Sequence, residues 1–400
     1  MPWILFAVGL VTLALGLNVL WPTRSLIGFV FSFFAEWLVA ELAHFTLLAL
    51  GGAVVVLVAL GGLHRPVGWI GLGAAAVGGV ALVVEEILAW RSRAAVTAAF
   101  ADADLPAPQP DPGRGRRLLI PFWLGDRRVE RIGDLAYLPD GVRRHRCDVY
   151  RPRGGVTGAP VLVQVHGGAW LVGNKRQQGR PLMNRMAAAG WVCVAVNYRL
   201  APKTRMPGQI VDVKAALAWV HEHVAEFGGD PTRVVVTGGS AGGHLAAVAA
   251  LTPGDPRFQP GFEAADTSVV GAVPVYPPTD LLSMFTFRTR RDTRWAGRAA
   301  ALVFGATPTE DPDRYRSWSP IDLIAGAGVP QLVVQGSADN LVPVALTRAY
   351  VERLRAVPGQ EVVYLEVPGA PHAFDVFHSL RAEAVIGAIH AWCDPVVTRG

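Results

Sequence analysis

The 400-residue sequence contains only three cysteines, Cys147, Cys193 and Cys393, too few and too far apart for a disulfide framework or a cysteine-rich zinc site. Lysine is equally rare, because 34 of the 37 basic residues are arginines, and these form no long basic run. The net charge of +5 is therefore spread thinly, which argues against a nucleic-acid partner. The histidines lack metal-ligand spacings such as H-E-x-x-H, so the sequence implies no metal and no organic cofactor.

Charge is also scarce at the start of the chain, where the first 90 positions carry only six charged side chains. Three runs, 3–21, 43–63 and 67–84, contain none. A helix of the length of the second run extends roughly 31 Å and can cross a hydrocarbon core of about 30 Å. Backbone groups in lipid must be satisfied internally, which predicts helices. We expect about three membrane spans and contact with membrane lipid; buried helices of a soluble domain are the disfavoured alternative.

Residues 25–42 are apolar but contain Glu36 and Glu41. These charges favour an interfacial or tightly packed helix over a fourth span, and we expect Glu85 and Glu86 to be interfacial as well.

The arginines next to the predicted spans suggest an orientation. With three spans, Arg24, Arg91 and Arg93 share one side of the membrane and Arg65 lies on the other. The positive-inside rule then predicts that the C-terminal domain is cytoplasmic. A fourth span would move Arg24 and remove this argument.

Composition divides the chain into three parts. Residues 1–93 form the predicted membrane region, and the proline-rich residues 94–117 have the composition of a linker. The remaining residues, 118–400, read as alternating strands and helices, which indicates a doubly wound α/β domain with a mostly parallel sheet. The strand-like runs rich in β-branched residues are 161–165, 191–196, 234–237, 269–275, 331–335 and 362–367. One helix, 210–227, shows a single apolar stripe and should stop at Gly228-Gly229.

A candidate nucleophile follows the strand 234–237. Gly238-Gly239-Ser240-Ala241-Gly242 matches the G-x-S-x-G elbow in its required strand–turn–helix context. Such a sharp turn leaves no room for side chains beside the serine, which explains glycine at 238 and 242. The helix that follows points its N-terminus at the site and favours developing negative charge there.

A candidate oxyanion site follows the strand 161–165. In His166-Gly167-Gly168-Ala169-Trp170, backbone N–H groups of Gly167, Gly168 and Ala169 are candidate donors to an oxyanion, together with the N–H of Ala241. Sequence does not decide which two of the first three point inward. We expect His166 to brace this loop rather than to act as a base.

A serine hydroxyl needs a base, and the base needs an orienting acid. His372 follows the last strand, 362–367, and Asp339 follows the strand 331–335. Asp322 is the rival acid, but it precedes its strand. The order Ser240, Asp339, His372 is the one that hydrolases of this topology use.

From residue 160 onward the chain resembles the hormone-sensitive-lipase-like esterases of the α/β-hydrolase superfamily, and their membrane-anchored actinobacterial members in particular. The segments that carry this resemblance are 166–170, 197–202, 228–231, 238–243, 336–339 and 371–372. Ala169-Trp170 replaces the third glycine common in the family, a variant similar to feruloyl-esterase-like and formamidase-like relatives. Lys203 replaces the glutamate that follows Tyr-Arg-Leu-Ala-Pro.

The resemblance implies a membrane-bound serine carboxylesterase or lipase that forms an acyl-enzyme on Ser240 from an ester substrate. It also implies a cap over the sheet, for which 118–150 and 276–325 are candidates; Phe285, Phe287, Trp295 and Phe304 could line an acyl pocket or simply pack. Amidase, formamidase or peptidase activity on the same triad and a catalytically inactive membrane scaffold are the alternatives.

Overall fold

The computed structural model describes residues 1–22, 26–109, 111–286 and 290–399, and for residues 26–31 and 290–296 it describes only the backbone. The expectations for Arg24, for Phe287 and for the side chain of Trp295 therefore lie outside the described residues.

Four apolar helices precede the sheet. They are α1 (Pro2–Leu20), α2 (Leu26–Glu41), α3 (Ala43–Ala59) and α4 (Pro66–Ala101). By length and composition, α1 and α4 could each cross a membrane, and the count rises to three if the pair Ser32–Glu41 and Ala43–Ala59, bent by 93°, is taken as one span. The expected count of about three spans is the upper end of this range.

Helices α1 and α4 pack closely because glycines face each other. A Cβ on Gly16 would lie 2.4 Å from the carbonyl oxygen of Gly78, and one on Gly78 would lie 2.3 Å from that of Thr12. Small residues that let two backbones approach are typical of contacts between membrane helices.

Three acidic residues of these helices lie inside the packed structure, which for α2 agrees with the expected alternative of a tightly packed helix. Glu36, Glu41 and Glu85 are all buried. Glu41 and Glu85 both form ion pairs with the guanidinium of Arg381, which has no exposed side-chain surface. The physical reason is that charges inside an apolar assembly need partners, and here the partner comes from the C-terminal part of the chain.

Helix α4 runs past the expected boundary at residue 93. Its last turns pack Val96 and Phe100 into the core beside the sheet, so the linker predicted for 94–117 begins as a helix. The predicted linker also ends as a helix, because the short helix α5 (Arg114–Leu119) begins within it.

Eight strands form one sheet, in the order β1-β2-β4-β3-β5-β6-β7-β8. They are β1 (Val129–Ala136), β2 (Arg146–Pro152), β3 (Ala159–Val165), β4 (Val192–Val196), β5 (Gly229–Gly239), β6 (Gly271–Val275), β7 (Gln331–Gly336) and β8 (Val362–Val367). Pairing is parallel from β4 through β8, and β2 is antiparallel to both of its neighbours, β1 and β4. The predicted α/β-hydrolase fold, a mostly parallel sheet preceded by apolar helices, is confirmed.

Helices cover both faces of the sheet. They are α6 (Arg180–Ala188), α7 (Gly208–His223), α8 (Ala241–Leu251), α9 (Leu281–Thr286), α10 (Arg290–Phe304), α11 (Pro312–Arg316), α12 (Val344–Arg355) and α13 (Leu380–Thr398). Apolar side chains of α7 and α8 pack on one face, and those of α6, α13 and the end of α4 pack on the other. Helix α7 is followed by one 3₁₀ turn, Val224–Phe227. This turn ends at Gly228, whose φ of 88° suits glycine.

The two segments expected to form a cap differ from that expectation in part. Residues 129–136 and 146–150 lie in strands of the sheet. In 276–325, Phe285 and Phe304 join an aromatic cluster with Tyr315, in which Phe304 also lies against Trp170. Because Phe304 is buried in the main core, its side chain braces the 166–170 loop from behind.

Candidate active site

Ser240 lies on a tight turn between β5 and α8. Its backbone has φ 58° and ψ −124°, a strained conformation for a residue with a side chain. A Cβ on Gly242 would lie 2.1 Å from the carbonyl oxygen of Val165, and one on Gly238 would lie 2.6 Å from the same atom. The two glycines predicted to flank the serine are therefore required by the packing of β5 against β3.

The turn is held by backbone hydrogen bonds on both sides. The N–H of Ser240 donates to the carbonyl oxygen of Val275 at the end of β6, at 2.9 Å, and the N–H of His244 donates to the carbonyl oxygen of Ser240, also at 2.9 Å. The serine is thus fixed to the neighbouring strand and to the first turn of α8.

Asp339 and His372 are in direct contact. The Nδ1 of His372 lies 2.8 Å from Oδ2 of Asp339, and both side chains are almost fully buried. The other carboxylate oxygen, Oδ1, accepts hydrogen bonds from the N–H groups of Leu341 at 2.9 Å and Val342 at 2.8 Å. Gln335 donates its Nε2 to Oδ2 at 3.1 Å. The carboxylate is therefore oriented by its own loop and by Gln335, in addition to its contact with the imidazole.

Tyr276, directly after β6, lies close to both the serine-bearing turn and the imidazole. Its ring centroid is 4.7 Å from that of His372, and a Cβ on Gly239 would lie 2.5 Å from its hydroxyl oxygen. The hydroxyl donates to Asp375, and burial followed by the charge of Asp375 raises the pKa of Tyr276 well above its usual value. Tyr276 therefore packs against both the turn and the imidazole as a neutral phenol.

The structure thus brings the three predicted residues to one edge of the sheet. Ser240, Asp339 and His372 follow β5, β7 and β8, which are parallel, so their carboxyl ends lie on the same side. Sequence reasoning missed Tyr276, although its position immediately after a strand of this group is a usable signal.

The 166–170 loop packs directly against the serine. A Cβ on Gly167 would lie 3.1 Å from Cβ of Ser240 and 2.6 Å from the carbonyl oxygen of Gly239. The next three residues, Gly168, Ala169 and Trp170, all have positive φ, at 113°, 51° and 60°. Ala169 and Trp170, which carry side chains, are therefore held in a strained backbone conformation beside the serine.

The four predicted oxyanion donors are not equivalent. The N–H of Gly167 donates to Oε1 of Gln178 at 2.6 Å and is therefore engaged. The N–H groups of Gly168, Ala169 and Ala241 have no acceptor among the described residues. Gln178, eleven residues beyond Gly167, could not be recognised from sequence because its contact depends on the path of the intervening loop.

His166 braces this loop. Its Nδ1 lies 2.7 Å from the carbonyl oxygen of Gly167, and its ring stacks on Tyr198 at a centroid distance of 4.3 Å. Burial lowers its pKa to about 4, so the ring is neutral and structural. His244 is similar, because burial lowers its pKa to about 4 and its Nε2 donates to the carbonyl oxygen of Trp318 at 2.8 Å.

Helix α2 reaches the same edge of the sheet. Phe33 lies 6.2 Å from His372 between ring centroids, and Trp37 donates its indole N–H to the carbonyl oxygen of Ala373 at 2.7 Å. Asn340 donates its side-chain N–H to Glu36. Sequence reasoning placed α2 at or near the membrane and gave no sign of this contact, because the partners lie about 300 residues apart.

Comparison with known proteins agrees with this geometry. The BD-FAE family profile matches residues 147–354, more than half of the chain. The chain belongs to the BD-FAE family. The match begins in β2 of this BD-FAE member and ends in α12, so it includes Ser240 and Asp339 and stops before His372. The predicted kinship with hormone-sensitive-lipase-like esterases of the α/β-hydrolase superfamily is confirmed.

Curated relatives of this BD-FAE member include two proteins of Mycobacterium tuberculosis. The probable carboxylic ester hydrolase LipM is 47% identical over 255 residues, which cover 62% of this chain and 58% of LipM. The esterase LipQ is 41% identical over 265 residues, which cover 66% of this chain and 62% of LipQ. The chain thus spans about three-fifths of the length of these relatives.

A solved structure shares the fold. Esterase B from Lactobacillus rhamnosis superposes with a TM-score of 0.60 over 77% of this chain and 97% of that chain, at 19% identity. At this level of identity, the likeness concerns the fold alone.

Proposed function

We propose that this protein is a membrane-bound serine carboxylesterase or lipase that hydrolyses carboxylic esters. The observation that carries the proposal is the 2.8 Å contact between Asp339 and His372 at the sheet edge that also holds Ser240 on its strained turn. The relatives LipM and LipQ, by their names an ester hydrolase and an esterase, support ester chemistry over the other acyl-transfer reactions open to such a site.

In the proposed reaction, Oγ of Ser240 attacks the ester carbonyl while Nε2 of His372 takes the hydroxyl proton. Asp339 accepts from Nδ1–H of the imidazole, which fixes the tautomer with Nε2 free and stabilises the imidazolium. His372 then gives the proton to the leaving alcohol, and the C–O bond of the ester breaks. Water attacks the acyl-enzyme with His372 again as base, which releases the acid and restores the serine.

The tetrahedral oxyanion would be held by backbone N–H groups. We assign this role to Gly168, Ala169 and Ala241, whose N–H groups have no acceptor in the described part of the chain. We leave out Gly167 because its N–H already donates to Gln178. Donors already fixed by the fold need no reorganisation when charge develops, and each contributes about 3 kcal/mol to lowering the barrier.

The membrane placement is part of the proposal. Helices α1 and α4, with the bent pair α2–α3, would anchor the protein in lipid, and residues 118–400 would form the hydrolase domain. Because α4 is helical to Ala101, the connecting segment is shorter than its proline-rich composition suggests. The positive-inside rule favours a cytoplasmic hydrolase domain.

The test uses full-length protein in detergent and an alkyl fluorophosphonate, which reacts with activated serines. We expect stoichiometric labelling of the wild type, no labelling of Ser240→Ala, and hydrolysis of p-nitrophenyl butyrate that is lost in both Ser240→Ala and His372→Ala. Hydrolysis of the matched p-nitroanilide at an equal or higher rate would replace the esterase proposal with an amidase. A wild-type protein that neither labels nor hydrolyses would leave the scaffold alternative.

A further inference from the structure

Helix α2 is attached to the loops that carry the proposed catalytic pair. Its polar contacts, from Glu36 to Asn340 and from Trp37 to Ala373, end on the residues immediately after Asp339 and His372. These contacts bring one turn of α2 against both loops at once.

The end of α2 is fixed to the same region by buried charge. Glu41 accepts from Oγ of Ser379 and pairs with Arg381 at 3.1 Å, and the same guanidinium pairs with Glu85 on α4. Arg381 and Glu41 have no exposed side-chain surface. A charge cluster buried to this degree holds its partners in one arrangement, because separating them would leave an unpaired charge in an apolar setting.

The face of α2 toward the site is aromatic. Phe33 lies 6.2 Å from the ring of His372, Phe34 lies 5.5 Å from Phe33, and Trp37 lies 5.2 Å from Phe377, all between ring centroids. Phe377 in turn lies 5.1 Å from Phe122. A continuous series of aromatic rings therefore leads away from the imidazole.

The outer end of this series is apolar and open. Phe34 is 57% exposed and Phe122 is 63% exposed. Beside Phe122, Leu119 and Trp123 are exposed as well. An exposed apolar surface of this kind, continuous with helices long enough to cross a bilayer, fits lipid better than water.

Apart from Tyr276, the rival wall, 276–325, directs its described aromatic contacts away from His372. Phe304 is almost fully buried and lies against Trp170 and Tyr315, so it contributes to the core rather than to an open surface. Among the described side chains, the aromatic rings in contact with His372 are those of Phe33 on α2 and of Tyr276.

We infer that α2 forms the acyl-binding wall of the ester site, with Phe33 as a specificity-determining residue, and that the substrate is a long-chain, membrane-borne ester whose acyl chain lies along α2. This inference rests on the proposed function. It assigns the membrane helices a part in substrate recognition in addition to anchoring.

The first test uses wild-type protein in phosphatidylcholine nanodiscs and a fluorophosphonate with a C12 chain that carries a terminal diazirine. After reaction at Ser240 and irradiation, we expect cross-links to residues 32–41 or 119–123. Cross-links confined to 276–325 would overturn the inference and leave the serine chemistry intact. Absence of any attachment to Ser240 would instead contradict the proposed function.

The second test measures chain-length preference as the ratio of kcat/KM for p-nitrophenyl dodecanoate to that for the acetate. We expect Phe33→Ala to lower this ratio roughly tenfold, because the acyl chain loses its wall. Leu48→Ala is the matched control, since Leu48 lies exposed on α3, outside the proposed wall, and its ratio should equal that of the wild type. Equal ratios in Phe33→Ala and Leu48→Ala, with both proteins labelled at Ser240, would overturn the inference.

Discussion

The indole N–H of Trp37 donates to the carbonyl oxygen of Ala373, 336 positions later in the chain. Ala373 has a φ of 61°, which is unfavourable for a residue with a side chain, and it follows His372 directly. A hydrogen bond from the apolar helical region therefore helps to hold the loop of the proposed base in a strained conformation. The stability of that loop and the placement of α2 are coupled.

Replacement of the orienting acid should abolish catalysis without unfolding the protein. In Asp339→Asn, an amide N–H faces Nδ1 of His372 and favours the tautomer whose Nε2 already carries a proton. We expect kcat for p-nitrophenyl butyrate to fall about 10⁴-fold. The control is Asp322→Asn, an exposed aspartate before β7, which should keep wild-type kcat. Comparable losses in the two variants would remove Asp339 from the proposed triad.

The glycine contact between α1 and α4 predicts a pair of opposite outcomes. A Cβ on Gly78 would lie 2.3 Å from the carbonyl oxygen of Thr12, whereas one on the adjacent Gly79 would meet nothing within 4 Å. We expect Gly78→Ala to destabilise the protein by about 2 kcal/mol through overpacking. Gly79→Ala should leave the detergent-phase melting temperature unchanged or raise it. Equal melting temperatures for the two variants would mean that α1 and α4 are not packed as described.

The buried ion pairs of Arg381 with Glu41 and Glu85 should contribute far more to the free energy of unfolding than a surface ion pair does. Arg381→Met leaves Glu41 and Glu85 buried without their partner, and we expect a loss of about 3–5 kcal/mol in denaturant unfolding. Arg348→Met removes an ion pair with Glu366 in which the arginine side chain is about half exposed, and it should cost less than about 1 kcal/mol. A small effect of Arg381→Met would mean that α2 and α4 do not depend on this cluster.

Acid should destabilise the fold through its buried histidines. Burial lowers the pKa of His244 from 6.5 to about 4 in the folded protein. The unfolded chain therefore binds more protons between these values, so stability is full above pH 6.5 and falls as the pH drops toward 4. His244 accounts for a loss of up to about 3 kcal/mol, and His166 acts in the same direction.

The measurement is the melting temperature at intervals from pH 7.5 to 4. His244→Asn should show a smaller decrease over this range than the wild type, whatever its stability at neutral pH. Ser317→Asn, at an exposed residue without a titratable side chain, serves as the control and should follow the wild-type curve. An unchanged pH dependence in His244→Asn would contradict a neutral buried ring at this position.

The sheet edge that carries the proposed catalytic residues could be predicted because its signals are local. Ser240, Asp339 and His372 each follow a recognisable apolar strand, and parallel strands bring their carboxyl ends together whatever lies between them. Strands β1 and β2 were missed because β1 alternates buried and exposed residues and both carry several charges, which reads as surface loop rather than as buried sheet. The edge strand β1 and its neighbour β2 lack the continuous apolar run of the central strands.

The contacts of the apolar helices could not be predicted, because they depend on tertiary structure. Glu36, Glu41 and Glu85 look like interfacial residues when only their neighbours in sequence are considered. Asn340 lies in the loop that carries Asp339, and Arg381 lies at the start of the last helix. Nothing in either segment marks these two residues as partners of an apolar helix. The hydrogen bond from the N–H of Gly167 to Gln178 could not be predicted from sequence for the same reason.

The buried guanidinium of Arg381 has a practical consequence for anyone who wishes to prepare the hydrolase domain alone. Deleting the apolar helices to gain water solubility would strip this side chain of both carboxylates and expose the carbonyl of Ala373. The shortened protein would keep this cation on its last helix without its partners, and the loop of the proposed base without its hydrogen bond to Trp37. Assays of such a fragment would therefore report on a different site from the one in the full-length chain.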